Sequence, residues 1–150
     1  MPAGRLITDK ETIQEILRTS RTVAVVGLSP KPERDSHRVG RYLLEKGYEI
    51  IPVRPAQKEI LGQKAYPALE DVPGPVDIVD VFRRSDQIPA VAEPALLLGP
   101  RVFWMQLGIE NHDAALRLTA AGIDVVMNRC IKIEHEFFLL HKKNKWVHDG

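Results

Sequence analysis

Five short apolar runs, rich in β-branched residues, alternate along the chain with stretches of helical periodicity. A continuous apolar run that ends at a turn is typical of a strand buried on both faces of a sheet. Pro52 lies inside the second run and removes a backbone hydrogen-bond donor, which weakens that strand. The five predicted strands are Thr22–Gly27, Tyr48–Val53, Val76–Phe82, Arg101–Met105 and Ile123–Met127.

Helices are predicted between these runs, where apolar residues recur three and four positions apart. Thr8–Glu11 resembles a capping box and opens the first helix. In the last helix we expect Ile133, Phe137 and Leu140 to face the core, with residues 142–150 following as a polar tail. The helices after the first are predicted over Ser36–Lys46, Ser85–Leu98, Asn111–Ala121 and Ile131–His141.

The alternation of strands and helices determines the fold class. The chain begins with a helix and continues as strand–helix–strand. After a short turn it continues as strand–helix–strand–helix–strand–helix. This order implies a parallel sheet with helices on both faces and right-handed crossovers. We therefore predict an α/β fold of the Rossmann type, a doubly wound five-stranded parallel sheet with strand order 3-2-1-4-5. A length of 150 residues fits a single domain spanning residues 1–150.

Composition argues against several classes of function. The formal net charge of +1 argues against nucleic-acid binding by bulk charge, and the aromatic content of 6% against base-stacking platforms. One cysteine, Cys130, excludes an internal disulfide framework and indicates a reducing compartment. The sequence shows neither an apolar window long enough to span a membrane nor a signal-peptide pattern. We expect a cytoplasmic protein that binds neither nucleic acid nor membranes.

Basic residues follow the predicted strands at the edge where a ligand is expected. In open α/β sheets, ligands bind beyond the carboxyl ends of the strands, at the switch point of the strand order. The helix that begins near Ser36 adds its positive end and free backbone amides. Since the overall charge is balanced, this local excess of positive charge indicates an anionic ligand. The basic residues are Lys31, Arg34, Arg38, Arg54, Arg83 and Arg84.

Residues after the first two predicted strands indicate which kind of anion the protein binds. The loop after the first strand has one glycine, Gly27, and places Ser29 where a dinucleotide fingerprint has its second glycine. The second strand ends at Arg54 instead of the Asp or Glu that holds the ribose hydroxyls of NAD. Arginine attracts a phosphate on the ribose. A polyanionic nucleotide with a phosphorylated ribose is therefore expected, and NADP and coenzyme A both qualify.

Six segments of the chain resemble one protein family. They are Val23–Pro32, Ser36–Val39, Ile51–Pro55, Val79–Arg83, Trp104–Gly108 and Asn128–Cys130. Together they are similar to small stand-alone CoA-binding proteins, whose fold resembles the CoA-binding domain of the succinyl-CoA synthetase alpha subunit. The resemblance extends over residues 10–140 and implies a Rossmann-type domain that holds CoA across the strand ends. The synthetase keeps its phosphorylated histidine in a further domain, for which this chain has no residues left.

The resemblance implies a set of CoA-binding residues at four strand ends. In such domains the loop after the first strand wraps the phosphates, and the second strand end meets the adenosine. The third strand end lines the same cleft, and the fourth lies toward the pantetheine arm. Carried over to this sequence, the four groups are Gly27, Ser29, Pro30, Lys31, Ser36, His37 and Arg38; Val53, Arg54 and Pro55; Phe82 and Arg83; and Gln106 and Leu107.

We find no pattern of catalytic or metal-binding residues in the sequence. The five histidines lack a recognised metal spacing, and Gly27-Leu28-Ser29 lacks the Gly-x-Ser-x-Gly frame of a hydrolase. Asp77 and Asp80 lie three apart on a strand and face opposite sides, so they form no acid–base pair. Asp80 is expected to accept backbone amides. Cys130 is interpreted as a buried filler, with a mixed disulfide to the CoA thiol as the sharper hypothesis.

Three functions are open at this point. The first is a non-catalytic protein that binds coenzyme A or an acyl-CoA, with a small-molecule ligand and an unidentified protein partner. The second is an NADP-binding oxidoreductase or dinucleotide sensor that holds the 2′-phosphate with Arg54. The third is an interaction subunit whose crevice is vestigial.

Overall fold

Strands and helices alternate along almost the whole chain. The computed structural model describes the backbone of residues 3–149 and the side chains of residues 3–141. The helices are α1 (Lys10–Thr19), α2 (Asp35–Glu45), α3 (Ile88–Leu98), α4 (His112–Ala120) and α5 (Ile131–Asp149). The strands are β1 (Thr22–Val26), β2 (Glu49–Val53), β3 (Glu59–Ile60), β4 (Gln63–Lys64), β5 (Ile78–Val81), β6 (Val102–Met105) and β7 (Asp124–Val126).

The five longer strands form one parallel sheet in the order β2-β1-β5-β6-β7. This confirms the predicted α/β class and its doubly wound, five-stranded parallel sheet. The predicted strand order 3-2-1-4-5 is wrong, because the third strand of the sheet, β5, pairs with β1 instead of lying outside β2. Numbered along this sheet alone, the observed order is 2-1-3-4-5.

Pro52 explains why β2 lies at the edge of the sheet. Its carbonyl oxygen accepts a hydrogen bond from the Tyr66 amide at 2.9 Å, on the side away from β1. Because proline has no N–H, a full strand could not pair regularly with β2 on that side. The chain after β2 instead forms the antiparallel hairpin β3–β4 and returns across the sheet, where Leu69 and Val72 join the core beside Ala24. β5 therefore pairs with the free edge of β1.

Helices cover both faces of the sheet, as predicted. On one face α1, α2 and α5 pack against strand residues such as Val25 and Trp104. On the other face α3, α4 and the segment around Leu69 pack against Ala24 and Phe103. β5 and β6 are buried along their whole length, which explains the continuous apolar runs in the sequence. Among the described residues, no helix is both long and apolar enough to cross a membrane.

The buried face of α5 differs from the predicted one. Ile133 and Leu140 are 53% and 63% exposed, whereas Glu134, His135 and Phe138 face the core. Phe137, the third residue predicted to face inward, is half-buried. The helix also continues to Asp149, so residues 142–149 extend α5 where a polar tail was predicted.

Long-range partners stabilise the two polar residues on the buried face of α5. The Lys10 ammonium donates to both carboxylate oxygens of Glu134, at 2.7 and 2.9 Å. The Tyr42 hydroxyl lies 2.8 Å from Nδ1 of His135, and the Tyr48 ring meets the same imidazole edge-on. Buried polar groups that find such partners avoid most of the penalty for leaving water. Apolar periodicity alone therefore assigns this helix the wrong face.

The buried His135 makes the stability of the fold dependent on pH. Burial lowers the pKa of His135 below its ordinary value, and the nearby Lys46 ammonium lowers it further, against an opposing effect of Glu136. The unfolded chain takes up this proton near a pH of about 6.5, whereas the folded chain resists it. We therefore expect the free energy of unfolding to fall as the pH decreases below about 6.5. Urea denaturation over a pH series measures this slope.

Two histidine variants separate this effect from other titrations. His135→Gln should make the free energy of unfolding depend less steeply on pH. At neutral pH it should also lower this free energy by about 2 kcal/mol, because the Tyr42 hydroxyl loses its partner. His112→Gln is the matched control, since the His112 side chain is 72% exposed, and it should leave the slope unchanged. A His135→Gln slope equal to that of the wild type would contradict the role given to His135.

Candidate functional site

A cleft of about 570 Å³ opens at the carboxyl ends of β1 and β5. β1 is flanked by β2 on one side and by β5 on the other, so this is the switch point of the sheet. Ligands of open α/β sheets bind at this position. The residues that line the cleft are Gly27, Ser29, Pro30, Lys31, Arg34, Asp35, Ser36, Arg54, Gln57 and Phe82.

Half of the predicted site residues line this cleft. They are Gly27, Ser29, Pro30, Lys31, Ser36, Arg54 and Phe82. Arg34, predicted only as part of the basic cluster, also lines it. Sequence reasoning missed Asp35 and Gln57. Asp35 begins α2 one residue before the predicted start, and Gln57 follows β2 in a loop without a recognisable motif. A correct helix boundary would have been enough to find Asp35.

Gly27 directly follows β1 and lies against Phe82, which directly follows β5. Its φ of +88° lies in the left-handed region, which favours glycine. A Cβ at this position would lie 2.5 Å from the carbonyl oxygen of Phe82. The carbonyl oxygen of Gly27 accepts a hydrogen bond from Nη1 of Arg54 at 3.3 Å, which holds the guanidinium at the cleft. The close approach of two chain segments therefore requires the single glycine of this loop.

Ser29 joins the loop after β1 to the start of α2. Its backbone amide donates to Oγ of Ser36 at 2.9 Å, and its carbonyl oxygen lies 2.9 Å from Nδ1 of His37. Its own Oγ accepts a hydrogen bond from the Lys31 amide at 3.1 Å. Ser29, Ser36 and His37 are all buried, and we refer to these three residues as the serine clasp. The clasp fixes the conformation of the loop.

The N-terminus of α2 lies at the cleft. Its N-cap residue, Arg34, makes no side-chain hydrogen bond to the helix. The first amides of a helix have no partner within it, and together with the helix dipole they attract anions. Lys31, Arg34 and Arg54 line the cleft, whereas its one acidic residue, Asp35, is paired with Arg38. The cleft therefore presents an excess of positive charge.

The predicted site residues outside the cleft have other surroundings, and as ligand contacts they stay predictions. Arg38 donates to the Glu33 carbonyl oxygen at 2.7 Å, in addition to its contact with Asp35. Gln106 is buried, and its Oε1 accepts the Ile131 amide at 3.1 Å, at the start of α5. The others are His37 in the serine clasp, Val53 in the core, the half-buried Arg83, and the exposed Pro55 and Leu107.

Asp80 lies on β5 between Val25 of β1 and Trp104 of β6, two residues before Phe82. It is fully buried, and neither carboxylate oxygen has a hydrogen-bond partner among the described residues. The expectation that Asp80 accepts backbone amides is therefore wrong. Asp77 does so instead, accepting two amides at 2.7 and 3.1 Å. Burial raises the pKa of Asp80 well above its ordinary value.

Cys130 is half-buried immediately before α5, and it packs against the core on the α1–α2–α5 face. This packing agrees with the filler interpretation, and a mixed disulfide with a thiol ligand stays a hypothesis. Within the part of the chain that the structure describes, no three His, Cys, Asp or Glu side chains are grouped so that they could hold a metal ion.

A doubly wound parallel sheet with a positively charged cleft at its switch point defines a class, the α/β nucleotide-binding domains. Within this class, the sequence profile of the CoA-binding domain family matches residues 21–136. The chain belongs to this family, which confirms the resemblance seen in its sequence motifs.

Several proteins of known sequence or structure are similar to this chain. The uncharacterized protein YneT of Bacillus subtilis (strain 168) is 49% identical over 126 residues, covering 84% of this chain and 93% of that protein. The structure of a hypothetical protein from Pyrococcus horikoshii OT3 has a TM-score of 0.84 at 40% identity, covering 93% of this chain and 99% of that one. The alpha subunit of an ADP-forming acetate–CoA ligase (II) from Pyrococcus furiosus is 36% identical over 59 residues, which is 39% of this chain and 13% of the subunit.

The close approach at Gly27 predicts a large loss of stability in Gly27→Ala. Gly47 is the matched control, because its φ of +98° is similar and nothing lies within 4 Å of a Cβ placed there. Gly47→Ala should cost roughly 1–2 kcal/mol, the strain of a left-handed alanine. Gly27→Ala should cost more, about 3 kcal/mol, because the backbone must also move away from Phe82. Urea denaturation measures both, and equal losses would contradict the close approach.

The unpartnered carboxyl of Asp80 predicts that Asp80→Asn raises the free energy of unfolding. The unfolded chain loses this proton near a pH of about 3.9, whereas the folded chain retains it to higher pH. The stability contributed at Asp80 therefore falls as the pH rises above about 4, and the amide variant lacks this dependence. Urea denaturation at several pH values measures this effect: the free energy of unfolding of Asp80→Asn should exceed that of the wild type by an amount that grows with pH.

Asp77→Asn is the matched control for this measurement. Asp77 accepts two backbone amides, so its replacement should lower the free energy of unfolding by about 1 kcal/mol. A stability gain in Asp77→Asn, or a loss in Asp80→Asn that grows with pH, would contradict the different environments of the two carboxyls.

Proposed function

We propose that this chain is a non-catalytic binding protein for coenzyme A or an acyl-CoA, and that the cleft at the switch point holds the nucleotide. One observation carries the proposal. Lys31, Arg34 and Arg54 converge on one cleft, beside a helix N-terminus whose N-cap side chain makes no hydrogen bond to the helix, in a chain whose net charge is only +1. Membership of the CoA-binding domain family supports coenzyme A as the polyanion.

The proposal assigns the pyrophosphate and the 3′-phosphate of the ligand to different parts of the cleft. The pyrophosphate lies at the N-terminus of α2, where free amides and the helix dipole favour anions. Lys31 and Arg34 flank this position. Arg54 follows β2 and receives the 3′-phosphate of the ribose, since a guanidinium forms two parallel hydrogen bonds with a phosphate. The adenosine then lies at the end of β2, as the family resemblance implies.

The lining of the cleft supports binding rather than catalysis. The hydroxyls of Ser29 and Ser36 each accept a backbone amide within the loop, so they serve its conformation. Among the lining residues the one carboxylate is Asp35, which is paired with Arg38. No lining pair has the geometry of a nucleophile and its activating base. We propose that the protein holds its ligand in the cytoplasm and delivers or senses it.

NADP is the competing ligand, because its 2′-phosphate would also suit Arg54. The loop after β1 lacks the second glycine of a dinucleotide fingerprint, and the family is one of CoA-binding domains. Calorimetry with CoA and NADP separates the two functions. Binding of NADP without binding of CoA would overturn the proposal.

The proposed contact of Arg54 predicts a selective loss of affinity. Arg54→Ala should weaken CoA binding by about 2 kcal/mol, or roughly thirtyfold, because the 3′-phosphate loses a charged hydrogen-bond donor. CoA that lacks the 3′-phosphate should bind wild type and Arg54→Ala with similar affinity. Arg84→Ala is the matched control, since the Arg84 side chain is 76% exposed and pairs with Asp86. An equal loss in Arg84→Ala would contradict a specific role of Arg54.

A further inference from the structure

Apolar side chains form a stripe on the outer face of α5. Ile133, Phe137 and Leu140 follow one another at steps of four and three residues, which places them on one face of a helix. Ile133 and Leu140 are largely exposed, and Phe137 is half-buried. The buried Glu134 and His135 lie on the other side of the helix, toward the core. We refer to the three apolar residues as the α5 seam.

The spacing of the α5 seam is typical of a helix that packs against another helix. Steps of four and three residues repeat every seven positions and produce a narrow apolar line, as in coiled coils. In the sequence the same spacing continues to Asn144 and Val147, and the backbone of α5 is helical as far as Asp149. The pattern therefore extends over two heptads, or about 21 Å of helix. An asparagine within such a line helps to specify how two helices pair.

Two contacts orient the Phe137 ring within the α5 seam. The Lys10 ammonium lies 4.5 Å from the centre of this ring, and the His141 ring stacks on it with 3.8 Å between the centres. Lys10 also donates to the buried Glu134, so α1 is anchored to α5 beside the seam. An apolar side chain that is already oriented loses less conformational entropy when a partner packs on it.

The charges beside the α5 seam match those of a second, antiparallel copy of the same helix. Glu136 is exposed on one flank of the seam, 4.0 Å from Lys132. Two copies of α5 can pack antiparallel so that Phe137 of one faces Leu140 of the other. In this register Glu136 of one copy and Lys143 of the other hold facing positions beside the seam. Two-fold symmetry provides this match of opposite charges twice.

We propose that the chain forms a two-fold symmetric dimer in which the α5 seams of two copies pack antiparallel against each other. Exposed apolar residues that form a continuous patch mark a surface that another molecule covers. The narrow seam calls for a helix with the same spacing, and the flanking charges are complementary to this chain itself. No residue of the seam lines the proposed nucleotide cleft, so the inference does not depend on the proposed function.

Sedimentation equilibrium of the full chain over a wide range of concentrations tests the inference. The average mass should rise from that of one chain toward that of two. Because two heptads form an interface at the small end of the range for specific complexes, the dimer should dissociate at micromolar concentrations. The mass of a single chain at every concentration would overturn the inference, and the seam would then fit a helix of a different protein.

Variants with a polar residue in the seam locate the interface. Leu140→Gln should weaken the dimer at least tenfold, since each dimer loses two leucine contacts. Leu140 is 63% exposed in the single chain, so the variant should unfold at the same urea concentration as the wild type in dilute solution. Leu97→Gln is the matched control, because Leu97 is 89% exposed on α3, which covers the other face of the sheet. A dimer that survives unchanged in Leu140→Gln, or that is lost in Leu97→Gln, would overturn the inference.

Exchange of the flanking charges tests the antiparallel arrangement. Glu136→Lys should weaken the dimer about tenfold, because two pairs of like charges replace two pairs of opposite charges. Glu136→Lys combined with Lys143→Glu should restore the affinity of the wild type, since opposite charges face each other again. A double variant that dimerises no better than Glu136→Lys alone would overturn the proposed antiparallel packing.

Discussion

The parallel pairing of β1 with β5 creates the switch point, and the cleft exists only because these two strands are neighbours. Two residues permit the pairing. Pro52 keeps β2 at the edge, because its ring nitrogen offers no hydrogen to a strand outside it. Gly27 lets the end of β1 approach the Phe82 carbonyl oxygen, where any Cβ would collide. The loop after β1, the start of α2 and Arg54 then meet in one crevice.

The polar side chains of the cleft fall into two groups: some hold the loop after β1, and others face the open cleft. The serine clasp uses its hydroxyls and imidazole for hydrogen bonds within the protein, and these bonds order the loop. Ordering of this kind reduces the conformational entropy that binding must otherwise remove. Lys31, Arg34 and Arg54 line the cleft beside the N-terminus of α2, where we propose that an anion binds. Sequence reasoning assigned both groups to the ligand, although the clasp residues already bind one another.

The buried polar groups of the core differ in whether they have hydrogen-bond partners. Glu134 and His135 are matched by Lys10 and Tyr42, which pack α5 against α1 and α2. Asp80 has no such partner among the described residues and lies beside the strand end that lines the cleft. Unpartnered groups with strongly shifted pKa values are uncommon in cores and concentrate near functional sites. The stability lost at Asp80 thus lies beside the cleft that we propose as the ligand site, and the matched pairs lie in the packing of α5 against α1 and α2.

Local patterns in the chain were enough to predict the five strands, the helices between them, the α/β class and the positive loop around Lys31 and Arg34. Periodicity and turn residues act over a few positions, so they can be seen without the fold. The strand order, the inner face of α5 and the isolation of Asp80 depend on residues far apart in sequence, such as Lys10 and Glu134. Only the folded chain brings such partners together, and their hydrogen bonds and packing then decide which polar groups are buried and which line a cleft.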